Sequence, residues 1–299
     1  MVPVALDYEA TGTAVVIVAS AAVAILAGIA ACTSVTVYRG GRNASLILTC
    51  QYGAVVCGTL SIAGVVAQYS RRWDPEADAI ACGFLPRWSG VLYFMEMAFA
   101  LQFLHARVLL ATPGDAGTPL MRALQLGIYA IVPFATVTAI LSEGRIMAST
   151  GFCLPYYPTV ITVLVVVAVA AFGVSLVYKF YTALVVHSRA RAGAAGPDTG
   201  TDVACEGQNM YQIAVKNVVC SSIAMACTLS TGIFFMMVDF LYGGEPTPLA
   251  VIGDLCGVVD MVVNVLALCV CSYRWMPKEV RACVRHARQH GASIIPTPH

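Results

Sequence analysis

Between Glu9 and Arg39, and again between Arg42 and Arg71, the chain carries no charged side chain. A helix that crosses the ~30 Å hydrocarbon layer of a bilayer needs ~20 mostly apolar residues, and both intervals exceed that length. Five further intervals follow: residues 88–110, with Glu96 inside and Arg107 near the end; the clean 123–142; one within 146–178 that starts near Pro158 and runs on past Lys179; 217–238; and 249–273, with Asp254 and Asp260. At 59% hydrophobic and 11% charged, with a mean hydropathy of +0.79, the 299 residues have too little polar surface to coat a soluble globule. The bilayer is the expected solvent.

Inside lipid every backbone N–H and C=O must be satisfied internally, and no alternating barrel-type segments are seen, so helices are expected. The predicted fold is an all-α integral membrane protein, a seven-transmembrane helix bundle over residues 1–275. The segment before the first span has no Lys or Arg, so it lacks the n-region of a cleavable signal peptide and reads as leading into a retained helix.

Lys and Arg gather on the cytoplasmic side of membrane proteins. Arg71, Arg72, Arg87 and Arg145 fall on one side, and the other thirteen of 17 (17 − 4) fall on the side of the C-terminus. The N-terminus is therefore expected outside and the tail inside. Asn43-Ala-Ser45, the only glycosylation sequon, then sits in an inside loop and should be unused. Most of the 12 cysteines lie within spans, where Cys is a small apolar residue. Cys82 and Cys153 sit at or beyond the outer surface, and two thiols facing an oxidising space invite one bridge, with two unpaired thiols as the alternative.

With that topology Arg107 closes the inner end of the third helix, 25 residues (107 − 82) after Cys82. In this the chain resembles the rhodopsin-like (class A) G-protein-coupled receptors, where a Cys atop helix three bridges to the second outer loop and an Arg ends that helix. The family's Asp-Arg-Tyr has its counterpart in Ala106-Arg107-Val108, followed by a short apolar run and Pro113. The Arg matches and its two neighbours do not. A second similarity lies in helix seven, where Asp260 and Asn264 stand at the spacing of the family's two asparagines and Trp275 follows 11 residues later (275 − 264). Over 276–299 the resemblance implies a cytoplasmic amphipathic eighth helix and a short tail, with Val280 and Val284 set against Arg281, Arg285 and Arg288. Departures from the family are Gly53 where helix two would carry its acid, Val265 and Leu268 in place of Pro and Tyr, and the missing Cys-Trp-x-Pro of helix six. The chain looks like a very divergent member, of the compact kind that large DNA viruses carry. The resemblance implies a signalling protein whose inner cleft, at Arg107, His105 and Ala106, meets a heterotrimeric G protein, with basal or atypical coupling because Ala106 replaces an acid.

Glu96, Asp254 and Asp260 are acids within spans that hold no Lys or Arg at comparable depth. Such groups cost ~3 kcal/mol or more at mid-bilayer and usually face the bundle interior. By resemblance, Glu96, Asp260 and Asn264 map to the family's sodium pocket. The expectation is that Glu96 and Asp260 face each other and share a proton or hold a cation such as sodium, with separately hydrated or protonated carboxyls as the alternative. Asp254, nearly two turns further out, is placed to line an outer pocket. No other cofactor is implied, and Lys179, Lys216 and Lys278 lie near the inner surface, which leaves no amine for a retinal Schiff base in helix seven.

Residues 188–208, rich in Ala, Gly and polar side chains, read as a flexible inner loop whose Asp198, Asp202 or Glu206 are candidate partners for Arg107. Trp73 and the run Pro155-Tyr156-Tyr157-Pro158 read as interfacial aromatics, and Cys269, Cys271 and Cys283 as packing residues or palmitoylation sites near the inner leaflet. No G-x-S-x-G, H-E-x-x-H or Walker loop is present, so an enzyme is not expected, and a net charge of +1 gives no nucleic-acid footprint. The partners expected are the lipid bilayer, a G protein, an unidentified ligand and further copies or other chains in an oligomer. Two rivals stand beside the receptor reading: a proton- or cation-linked transporter using Glu96, Asp254 and Asp260, and a membrane scaffold, which has no need of the Cys82–Cys153 or Glu96–Asp260 pairing.

Overall fold

The structure, a computed structural model, describes residues 8–40, 46–111, 117–147, 151–156, 158–194, 201–242 and 248–271. Seven helices and one hairpin make up these residues: α1 (Tyr8–Gly40), α2 (Leu46–Tyr69), α3 (Ala79–Ala111), α4 (Pro119–Leu141), β1 (Glu143–Ile146), β2 (Cys153–Tyr156), α5 (Thr159–Ala194), α6 (Thr201–Tyr242) and α7 (Pro248–Cys271). Five contain stretches long and apolar enough to cross a membrane, namely Ala10–Ala30, Leu46–Tyr69, Pro119–Thr138, Val215–Val238 and Leu249–Cys271. In α5 a shorter apolar stretch covers Val167–Ala183. The predicted eighth helix, with Trp275, Arg281, Arg285 and Arg288, lies outside the described residues, as do Asp198, Pro113 and the sequon.

The apolar residues divide between inside and outside in the manner of a protein solvated by lipid. Leu126, Tyr129 and Ile140 of α4 and Val160, Val167 and Val174 of α5 are exposed. A water-soluble surface does not carry so many large apolar side chains together. Charged α3 sits at the centre instead, packed on α2, α4, α5 and α7. Small residues bring α2 and α3 together: the Ser61 hydroxyl donates to the Ser89 carbonyl at 2.8 Å, the Ser89 hydroxyl donates back to the Ser61 carbonyl at 3.0 Å, and Gly64 lies against the Ser89 side chain. Close approach through small and hydroxylated residues is how helices associate when lipid removes the hydrophobic drive between them.

Two helices are longer than the sequence reading expects. At 36 and 42 residues, α5 and α6 extend ~54 Å and ~63 Å, well beyond a ~30 Å hydrocarbon layer. The stretch 188–208, read as a flexible loop, is helical except for 195–200, which lie outside the described residues. Its Ala and Arg residues are strong helix formers, and they carry the helix past the charges that mark the membrane edge. Nor does α3 start at Trp88; it begins nine residues earlier (88 − 79), at Ala79, and contains Pro86. A proline removes only the bond to the carbonyl four residues back, here that of Cys82.

That freed carbonyl faces the hairpin. A Cβ on Gly144 would come 1.9 Å from the Cys82 carbonyl oxygen, so only glycine lets β1 pass there. β1 and β2 pair antiparallel with Ile146 opposite Cys153, and Cys153 is disulfide-bonded to Cys82 (Cα–Cα 5.6 Å). Gly151, at φ 71°, turns the chain into β2, and its carbonyl accepts the Trp73 backbone N–H at 2.7 Å. Trp73 is buried against the disulfide and donates its indole N–H to the Gln68 carbonyl at 2.9 Å. It is thus a packing residue of the loop between α2 and α3.

In that loop Asp74 accepts the backbone N–H groups of Ala77 and Glu76, each at 2.9 Å, and these donors hold its carboxyl below its ordinary value. A lowered folded value means that the stabilisation is present above the usual carboxylate range and lost as pH falls through it. Acidification should therefore speed amide hydrogen exchange at residues 74–78, while a rise from neutral pH should leave it unchanged.

Candidate functional site

Two polar clusters and one arginine occupy the interior. The cluster nearer the Cys82 end joins α2 to α7: the Tyr69 hydroxyl donates to Asp254 at 2.6 Å, and both residues are buried. Asp254 does not line an open outer pocket. Phe152 of the hairpin packs edge-on to Tyr69 with ring centroids 5.6 Å apart, and Gly12 of α1 leaves room for the Phe152 ring, whose tip would lie 2.6 Å from a Cβ there. Phe152 and Leu154 join Val15, Val65 and Val251 in one apolar core, so the hairpin fills the Cys82 end of the helix bundle.

The second cluster lies deeper, where Asp260 accepts the Tyr93 hydroxyl at 2.7 Å, the Thr228 hydroxyl at 2.7 Å and the Asn264 amide at 3.4 Å. Helices α3, α6 and α7 thus converge on one carboxyl. Glu96, one turn along α3 from Tyr93, is also fully buried, and neither of its oxygens has a hydrogen-bond partner. Its stem lies 3.5 Å from where a Cβ on Gly58 would be. Among the described residues no group of three or more His, Cys, Asp or Glu converges as a metal site would require. Tyr93, Thr228 and Asn264 all act as hydrogen donors to Asp260, the environment of a carboxyl oriented by the protein.

Helix two cannot contribute its own acid here. The Phe99 ring covers Gly53, 2.8 Å from a Cβ at that position, so an Asp would have to displace it. Asp260→Ala should lower the stability of the folded chain by ~1–3 kcal/mol by leaving the Thr228 and Asn264 donors unpaired. Asp260→Asn, which keeps one acceptor, should recover part of the loss in a thermal-shift assay.

At the other end of the bundle Arg107 donates to the carbonyl of Cys271, the last residue of α7, and its guanidinium lies 5.2 Å from the Phe103 ring centroid. Carbonyls toward the C-terminal end of a helix carry the negative end of its dipole, which favours a cation there. The side chains of Asp202 and Glu206 lie outside the described residues. Ala106 is buried beside Arg107, and His105 approaches the Met121 carbonyl of α4 through Nε2 at 3.3 Å. Cys269 and Cys271 are buried, which favours packing over lipidation.

Tyr93, Thr228 and Tyr69, the partners of the two acids, escaped the sequence reading. Tyr93 alone had a signal, its place three residues before Glu96 on one helical face. Comparison with known proteins finds no protein-family model that matches this chain and no curated protein similar to it in sequence.

Proposed function

We propose that the chain is a seven-transmembrane signalling protein of the rhodopsin-like receptor kind, with its N-terminus outside, that couples to a heterotrimeric G protein without requiring a diffusible outer ligand. The observation that carries this reading is the arrangement along α3. Cys82 at one end is bridged to the hairpin leading into α5. Arg107 at the other end is held by the end of α7. Ligand independence is supported by the hairpin, since Phe152 and Leu154 fill the space at the outer end that a ligand would enter. The long α5 and α6 reach beyond the bilayer, as a surface that engages a large cytoplasmic partner would.

In this reading activation releases Arg107 from Cys271 into an inner cleft. A backbone carbonyl is a weaker hold than a neighbouring carboxylate, which adds a full opposite charge and can accept two parallel N–H bonds from one guanidinium. Cells that display the protein at their surface should therefore show G-protein activation above mock-transfected cells, and Arg107→Ala should abolish it. A reporter that stays at background would sink the proposal. Ala106→Asp, which supplies the missing acid beside Arg107, should lower basal signalling several-fold at equal surface expression.

A second reading rests on Glu96, Asp254 and Asp260, three buried acids. They favour a proton- or cation-linked transporter, for which substrate-coupled flux abolished by Glu96→Gln is the test.

A further inference from the structure

Between α3, α5, α6 and α7 lies a cavity of about 40 Å³ whose lining includes Ser221, Thr228, Asn264, Leu268 and Cys271. About 10–15 Å³ suffices to seat one water, so this cavity has room for more than one. Thr228 and Asn264 both donate to Asp260, while Cys271, seven residues or ~10 Å along α7 from Asn264, holds Arg107 through its carbonyl. The cavity therefore runs from the buried carboxyl toward the Arg107 end of the bundle.

Buried polar atoms along this line lack partners within the protein. The Ser221 hydroxyl, lining the cavity and 3% exposed, has none; nor do Asn217 Oδ1, one turn further along α6, and Arg107 Nε. Buried polar groups are almost always hydrogen-bonded, to ordered water where the protein supplies nothing. The Ser221 hydroxyl in the cavity wall, and the Asn217 acceptor and Arg107 donor beyond that wall toward the Cys271 end, are partners that a file of waters would need. On the far side of Asp260 lies the Tyr69–Asp254 pair, whose carboxyl is already engaged, and around it pack Val65, Val251, Val258, Phe152 and Leu154.

We infer that this cavity is a hydrated conduit through which Asp260 exchanges protons with the water phase at the Arg107 end of the bundle and with no other. In the exchange the carboxyl O–H bond breaks and the proton passes to a water as hydronium, leaving a carboxylate held by Tyr93, Thr228 and Asn264. The return step reverses it. The titratable groups facing Asp260 are Tyr93 and Glu96 of α3 and Cys227 of α6. Because the route is defined by the Arg107 end, the inference holds whether the chain signals or transports, and its failure leaves the receptor proposal standing.

The test is infrared difference spectroscopy on the full chain in liposomes, with orientation fixed by protease access to the residues after Cys271. The protonated-carboxyl band of Asp260 is assigned by its loss in Asp260→Asn and separated from that of Glu96 in a Glu96→Gln background. A pH step on the Arg107 side should change the band, and a step on the opposite side should not. Ser221→Leu, and independently Ala224→Leu, fill the cavity and should slow the response about tenfold or more, while Ser221→Thr, which keeps the hydroxyl, should not. Unchanged rates in whichever filled variant folds, a response to the opposite side, or a band that never titrates would each overturn the inference.

Discussion

Replacing Glu96 with methionine should make the protein more stable, raising its melting temperature in detergent by several degrees. Glu96 is 0% exposed, yet neither carboxyl oxygen has a hydrogen-bond partner. A buried polar group without a partner costs ~2–7 kcal/mol relative to water, depending on the reference state. Methionine keeps an unbranched stem beside Gly58 and removes the polar atoms. Replacing even paired buried charges with well-packed apolar residues is often neutral or stabilising by ~1–4 kcal/mol, and the unpaired Glu96 is expected to fall within that range. A fall in melting temperature would mean that Glu96 is satisfied by something the protein binds. If the stabilised variant also loses activity, Glu96 belongs to the working site, since strained polar groups are kept where function needs them.

Cys82→Ser should have the opposite effect and a larger one on surface expression. The bridge closes a loop with a sequence separation of 71. A flexible chain of that length would lose ~4 kcal/mol of stabilisation by loop-closure entropy. Much of α3 and all of α4 lie within the loop, and helices already inserted in a bilayer have less freedom to recover, so ~2–3 kcal/mol is expected. The Trp73–Gly151 backbone bond and the Phe152–Tyr69 contact remain. The hairpin should therefore loosen without leaving, and Cys153→Ser should match Cys82→Ser within error. A double variant much worse than either single one would argue against the bridge.

Some of this architecture is legible in the sequence because it rests on periodless apolar length, which needs no tertiary context. The positions of α1, α2 and α4 follow from charge-free intervals, that of α7 from an apolar interval broken only by two acids, and the Cys82–Cys153 bridge from the expectation that these two cysteines lie outside the spans. Element ends are less legible. Pro86 and Arg87 look like punctuation before a span, yet α3 runs through both, because the one carbonyl that Pro86 leaves free faces Gly144. The stretch 188–208 looks like a linker by composition, and helical propensity overrides that impression. In the interior the acids are conspicuous and their partners are not. One hydroxyl in an apolar helix, such as Thr228, has no pattern to mark it, and its bond to Asp260 exists only once α6 lies beside α7. Gly53 carries a similar lesson, since its missing side chain is explained by the Phe99 ring, a neighbour on another helix.

In the proposed topology, the hairpin that fills the Cys82 end also governs how this protein presents itself to an antibody. Phe152, Cys153 and Leu154 are buried within the folded chain, although a linear peptide spanning them would display all three. Sera raised against that peptide should stain blots of the denatured, reduced chain and fail on intact cells. An outward-facing epitope has instead to be sought on the exposed residues 74–77, ahead of α3.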